Sequence, residues 1–162
     1  MMAPEIFDHA LSIDVLDDLE VAVLSRAQPG RPYPGGANRG GWKSGTDLLS
    51  WPEPAIGTLK HKIAALLDIC GGYKVGSSWA VVNKNGSYHG RHRHGAPIMG
   101  ILFVASGDPM VPTIFEVDGR PIEIEPVRGR LVLSGDLYHW VGVYSGSSPR
   151  IAIAFDAKLG AA

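Results

Sequence analysis

From Tyr73 onward nearly every apolar residue falls in a short run of β-branched or aromatic side chains closed by turn residues. In order these runs are "SSWAVVN", "IMGILFVAS", "TIFEV", "IEIE", "RLVLS", "HWVGVY" and "RIAIAFD". Runs this short, separated by Gly, Pro, Asp and Ser, predict strands rather than helices. Seven or eight of them suit a sandwich or a barrel-like jelly roll. The chain is therefore read as mostly β, with residues 73–157 as the core.

Residues 1–72 read differently, as a helical and loop part. Over 12–27, "SIDVLDDLEVAVLSRA", the residues Val15, Leu16, Leu19, Val23 and Leu24 share a helical face, with Ser12 as N-cap and acids in the first turn. Helical spacing resumes over 52–69 through Ile56, Leu59, Ile63, Leu66 and Leu67, and "CGGY" ends it. Between them "QPGRPYPGGANRGG" can sustain neither helix nor ladder and is predicted to be a long loop of the kind that often closes over a site. Both helices are expected to pack outside one sheet. At 162 residues, residues 1–162 are expected to form one domain.

Charge and composition exclude several functions. A formal net charge of -1 and the lack of a Lys/Arg block argue against nucleic acid as a partner. The longest apolar run, roughly Pro97 to Ala105, is far short of the ~20 residues that span a bilayer, so no membrane partner is expected. "MMAPEIFDHA" has no signal-like apolar core and Cys70 has no partner for a disulfide, which makes the cytoplasm the expected location. Sheet edges and a lid loop make a homodimer a reasonable expectation.

Three of the six histidines lie in "SYHGRHRHG", residues 87–95. On an extended strand His92 and His94 point the same way and Arg93 the other, so the pair can chelate one ion; a solvated polar turn is the competing reading. His139, between Tyr138 and Trp140, is the candidate third ligand, and otherwise a core histidine. Three imidazoles at one barrel edge suit iron, zinc, copper or nickel. Arg150 opens a strand in which Ile151, Ile153 and Phe155 alternate with alanine or aspartate. A buried guanidinium needs an acid or an anionic ligand; the alternative is a strand-end arginine reaching water.

The sequence of pieces "GGWKSGTDL", "SSWAVVNKNGSYHGRHRHG", "EPVRGRLVLSGDLYHWV" and "RIAIAF" resembles the small 2-oxoglutarate/iron(II)-dependent oxygenases over roughly residues 38–156. That resemblance implies a double-stranded β-helix, with iron(II), 2-oxoglutarate and dioxygen as cofactor and co-substrates. It implies His92, His94 and His139 as metal ligands and Arg150 as partner of the far carboxylate of 2-oxoglutarate. It further implies hydroxylation of a small-molecule or amino-acid-like substrate with release of succinate and CO2. Ala152 stands where many such proteins carry a serine, and a histidine stands where the common triad has a carboxylate; Asp136 is an alternative oxygen ligand.

Further candidates are Asn83, as co-substrate contact or turn cap, and His89, as a substrate group or a solvated loop residue. Trp42 either closes over the site or staples its loop to the barrel. Trp79 lies on the strand entering the site. Lys43 and Arg39 could meet an anionic substrate, and Ile98, Leu102, Leu133 and Val141 could line the cavity. Two other functions fit parts of the pattern. "GSYHGRHRH" also fits the opening of a three-histidine cupin enzyme, a thiol dioxygenase or isomerase, although Ile98 and Met99 stand where its glutamate belongs. The second is a non-catalytic metal-binding module on the same scaffold.

Overall fold

The computed structural model describes residues 2–27 and 36–160, so residues 28–35 of the expected long loop lie outside the described residues. The elements run β1 (Glu5–Phe7), α1 (Ile13–Arg26), β2 (Asn38–Arg39), β3 (Trp42–Lys43), a 3-10 turn (Leu48–Ser50) and α2 (Pro54–Ile69). Eight strands follow: β4 (Tyr73–Asn83), β5 (Tyr88–His92), β6 (Ile98–Ala105), β7 (Thr113–Val117), β8 (Arg120–Ile124), β9 (Leu131–Ser134), β10 (His139–Val141) and β11 (Arg150–Leu159).

Ser12 caps α1 by accepting from the backbone N–H of Val15, and Pro54 starts α2, where its missing N–H is harmless. Both helices are amphipathic. Leu16, Leu19 and Val23 of α1 and Ile56, Leu59, Ile63 and Leu67 of α2 are buried, whereas Leu24, expected on the inner face, is exposed.

The strands form two antiparallel sheets, a larger one ordered β1-β9-β6-β11-β4-β3 and a smaller one ordered β2-β5-β10-β7-β8. The N-terminal part is not only helix and loop: β1, β2 and β3 extend both sheets at their edges. Strands of two or three residues are too brief to carry a period-2 pattern, which is why the residues alone gave no sign of them.

The larger sheet is covered on both faces. One face packs against α1 and α2 through Ile98, Leu102, Val104, Leu131, Leu133, Ile151, Ile153 and Phe155. The other meets the smaller sheet through Met99, Ile101, Phe103, Val132 and Ala152, against Phe115 and Ile124. Ile98, Leu102 and Leu133, expected to line a cavity, therefore face the helices instead. A strand buried on both faces is apolar throughout, and nothing in it marks which residues point which way.

Gly100 on β6 is paired with Phe155 on β11, and a Cβ at Gly100 would overlap the Phe155 ring. Gly100→Ala is expected to lower stability by about 1–3 kcal/mol, the usual effect of overpacking, in a urea unfolding curve. Among the described residues no helix is long and apolar enough to cross a membrane.

Candidate metal centre and its cavity

The smaller sheet brings the histidines together. His92 closes β5 and His139 opens β10, and the two are direct cross-strand partners with ring centroids 4.3 Å apart. His94, two residues past His92, brings its ring to 5.1 Å from His92 and 5.0 Å from His139. One ligand atom from each lies within 4.8 Å of the others.

The hydrogen bonds fix which nitrogen is free. His92 Nδ1 lies 2.8 Å from the Gly90 carbonyl, His139 Nδ1 lies 3.1 Å from the Leu137 carbonyl, and His94 Nδ1 lies 2.6 Å from Asp156 Oδ1. All three partners only accept, so each Nδ1 carries a proton, and Nε2 is the nitrogen each ring has left to offer an ion. His92 Nε2 and His94 Nε2 are 3.1 Å apart. At that distance either one nitrogen carries a proton and donates it to the other, or a cation takes both lone pairs. Adjacent ligands at right angles with metal–nitrogen bonds of about 2.1 Å would stand about 3 Å apart. The donor set therefore fits a transition-metal ion.

Burial reinforces this state. His139 is held well below its ordinary pKa, at about 3, first by desolvation and then by the His92 charge, and burial also lowers His92. Neutral imidazoles are the form that binds metal. Asp136, the alternative oxygen ligand, is engaged elsewhere: its Oδ1 accepts from the backbone N–H groups of His94 (3.1 Å) and Gly95 (2.8 Å). It shapes the turn carrying His94 and is not one of the three clustered ligands.

The same imidazoles line a cavity of about 330 Å³ whose wall also includes Arg150, Thr113, Trp79, Val81, His89, Asn38, Lys43, Met99, Ile101, Val141, Ala152, Ala154 and Asp156. On β11 every second residue, Arg150, Ala152, Ala154 and Asp156, faces this space, while Ile151, Ile153, Phe155 and Ala157 face the helices. Of the four apolar residues expected in the lining, Val141 is there.

Arg150 is 2% exposed. Its guanidinium donates to Asn83 Oδ1 (3.1 Å), Thr113 Oγ1 (2.8 Å) and the Val111 carbonyl (3.2 Å), which are all neutral acceptors. Desolvation lowers its pKa to about 10, so it remains a cation at neutral pH. Among the described residues it forms no ion pair with an acid. A buried cation beside a cavity, held by neutral groups, is a ready anion site.

Asn83 is fully buried and absent from the lining; it joins Arg150 to Ser87, donating to Ser87 Oγ at 3.2 Å. Trp42 is also absent from the lining and packs against the helix-side core. Trp79 lines the cavity, its ring 5.2 Å from that of His94 and 4.6 Å beneath Lys43 Nζ. Arg39 is exposed and bonds carbonyls of its own loop.

His89 also lines the cavity, and its buried Nε2 has no hydrogen-bond partner; Asn38 Oδ1 is in the same condition. Burial, then the Arg150 charge, pushes the His89 pKa down to about 3. In the unfolded chain this imidazole takes a proton near pH 6.5, whereas in the fold it stays neutral. The resulting penalty is absent above pH 6.5 and grows as pH falls toward 3. At pH 5 it amounts to about 2 kcal/mol. His89→Gln is expected to flatten the fall in urea-unfolding stability between pH 7 and 5 by that order.

Two lining residues carry no sequence signal. Thr113 and Asp156 belong to no motif on their strands, and only the partners opposite them give them meaning.

No protein-family model matches the chain, and no curated protein matches it. Solved structures do. The viral collagen prolyl hydroxylase of Paramecium Bursaria Chlorella virus-1, in complex with 2-oxoglutarate, superposes with TM-score 0.76 at 11% identity, over 97% of this chain and 96% of that one. A prolyl-4-hydroxylase of Pseudomonas putida gives 0.77 at 16%, over 99% and 95%. HygX of Streptomyces hygroscopicus, with nickel and 2-oxoglutarate bound, gives 0.71 at 9%, over 98% and 83%. The fold is the double-stranded β-helix of 2-oxoglutarate/Fe(II) oxygenases, with the two helices on the outside of one sheet.

Proposed function

We propose that this protein is a 2-oxoglutarate-dependent iron(II) oxygenase that hydroxylates a small-molecule or amino-acid-like substrate. The observation that supports this most is the joint lining of one cavity by three convergent Nε2 lone pairs and a buried cation bonded only to neutral groups. A metal-binding module needs the first of these and has no use for the second, which suits an anionic co-substrate. Fold likeness alone does not carry the activity.

His92, His94 and His139 would hold the ion, leaving further positions for small ligands. Iron(II) there supplies the coupling of two oxidations: R–H, 2-oxoglutarate and O2 become R–OH, succinate and CO2. The protein's own part is orientation and exclusion of water. Arg150 takes the far carboxylate of 2-oxoglutarate, with the Thr113 hydroxyl beside it at 2.8 Å from Nη2. Thr113 provides a hydroxyl at this end of the cavity, where Ala152 has none. Ala152 and Ala154 leave the floor of the cavity low enough for a ligand to lie along β11. Met99, Ile101, Val81 and Trp79 keep the reacting end dry. The volume of the cavity, at the small end for ligand sites, favours a small reacting group.

Protein loaded with Fe(II) under nitrogen should develop the weak visible absorption of the iron/2-oxoglutarate chelate on addition of 2-oxoglutarate. On admitting air it should form succinate. Binding of Fe(II) with neither the band nor succinate would overturn the proposal in favour of a three-histidine enzyme of the cupin kind or a non-catalytic module.

A further inference from the structure

Three neutral imidazoles give the ion no anionic ligand, yet β11 brings one carboxylate to the site at one remove. Asp156 faces the cavity six residues beyond Arg150, roughly 20 Å along the strand. Its Oδ1 accepts the Nδ1 proton of His94 at 2.6 Å, while its Oδ2 is 3.5 Å from Ser77 Oγ. The bond lies on the opposite side of the ring from Nε2, so Asp156 touches the ligand and not the position the ion would take.

Nearby acids have other partners. Asp136 accepts from the His94 and Gly95 amides, and Glu116 grips Arg91 through two bonds. His92 and His139 rest on backbone carbonyls. Only His94 is backed by a charge. A carboxylate bonded to the outer nitrogen of a ligating imidazole fixes the ring and raises its basicity.

Resting on the metal-centre reading above, we infer that Asp156 serves through His94 as the carboxylate of this centre. It is a positioning residue that holds His94 Nε2 on the ion and returns the unit of negative charge that the third imidazole omits.

The test is titration of metal-free protein with Co(II) under nitrogen, followed by its visible absorption, for the unaltered chain, Asp156→Asn, Asp156→Ser and Asp156→Glu. Asparagine retains an oxygen that can accept from Nδ1 and removes the charge; serine is a second neutral variant should the first fail to fold. Each folded neutral variant should bind Co(II) 10–100-fold more weakly, with the circular dichroism of the metal-free protein unchanged, and glutamate should recover part of the loss. The Fe(III)/Fe(II) potential of the neutral variants should rise, by ~59 mV for each tenfold by which Fe(III) binding weakens more than Fe(II) binding. A purely structural role would leave that potential in place. A folded neutral variant that binds Co(II) within about twofold of the unaltered chain overturns the inference. Absence of Co(II) binding by the unaltered chain is a different result and overturns the metal-centre reading itself.

Discussion

Arg150→Met is expected to weaken 2-oxoglutarate binding by about a hundredfold or more, equal to about 2.8 kcal/mol, in calorimetric titration of the Co(II)-loaded protein. The magnitude follows from where the charge sits. A surface arginine lost from a carboxylate contact changes little, because water screens the pair. Arg150 is desolvated already, and its folded-state partners are the neutral oxygens of Asn83, Thr113 and Val111. A carboxylate arriving in the cavity therefore meets a cation whose dehydration occurred during folding. Truncating such a partner in a desolvated pair costs about 2–5 kcal/mol. Arg150→Lys should recover only part of the affinity, since an ammonium cannot keep the three present bonds and add a forked one. Asn83 anchors the guanidinium from outside the cavity, so Asn83→Ala should weaken binding less. Retention of 2-oxoglutarate affinity within about threefold in Arg150→Met would mean that the anion site lies elsewhere.

Arg150 drew notice in the sequence as a cation opening an apolar strand; in the fold it shares the cavity face of β11 with Ala152 and Ala154, the side of the small residues. On β6 no such contrast exists. Every residue of "IMGILFVA" is buried, so Ile98 and Leu102 looked as suitable for the cavity as Met99 and Ile101 do in the fold. The phase of a strand buried on both faces is decided by its neighbours. Trp42 was ambiguous for a related reason: a two-residue edge strand carries no pattern showing whether its tryptophan points toward the helices or toward the site. His92, His94 and His139 stood out as residue types, whereas which nitrogen each turns inward is decided by Gly90, Leu137 and Asp156. Those partners are chosen by backbone path and cross-strand register, not by a motif. Thr113 was hidden because its use depends on Arg150, 37 residues later.

His139→Phe is expected to abolish the rise in melting temperature that Co(II) gives the unaltered protein, while the metal-free protein melts no lower than before. The two halves have separate causes. Phenylalanine retains an aromatic ring at a site that is 5% exposed and stacked 5.5 Å from Phe115, so packing changes little. It loses the bond from His139 Nδ1 to the Leu137 carbonyl, a loss offset by taking a desolvated imidazole out of a crowded cluster of three and burying an apolar ring in its place. Metal binding should fall by more than the 10–100-fold typical of losing an outer partner, because a direct ligand is gone. Stabilisation by a ligand grows as RT ln(1 + [L]/Kd), so at a Co(II) concentration 100 times the unaltered Kd the expected loss is about 2.7 kcal/mol. An ordinary core histidine predicts the reverse pattern, with little change in metal response and a lower melting temperature without metal. The opposite signs let one pair of melting curves separate a ligand from a core residue. Should the variant keep the Co(II) response of the unaltered chain, the ion is not held by these three rings.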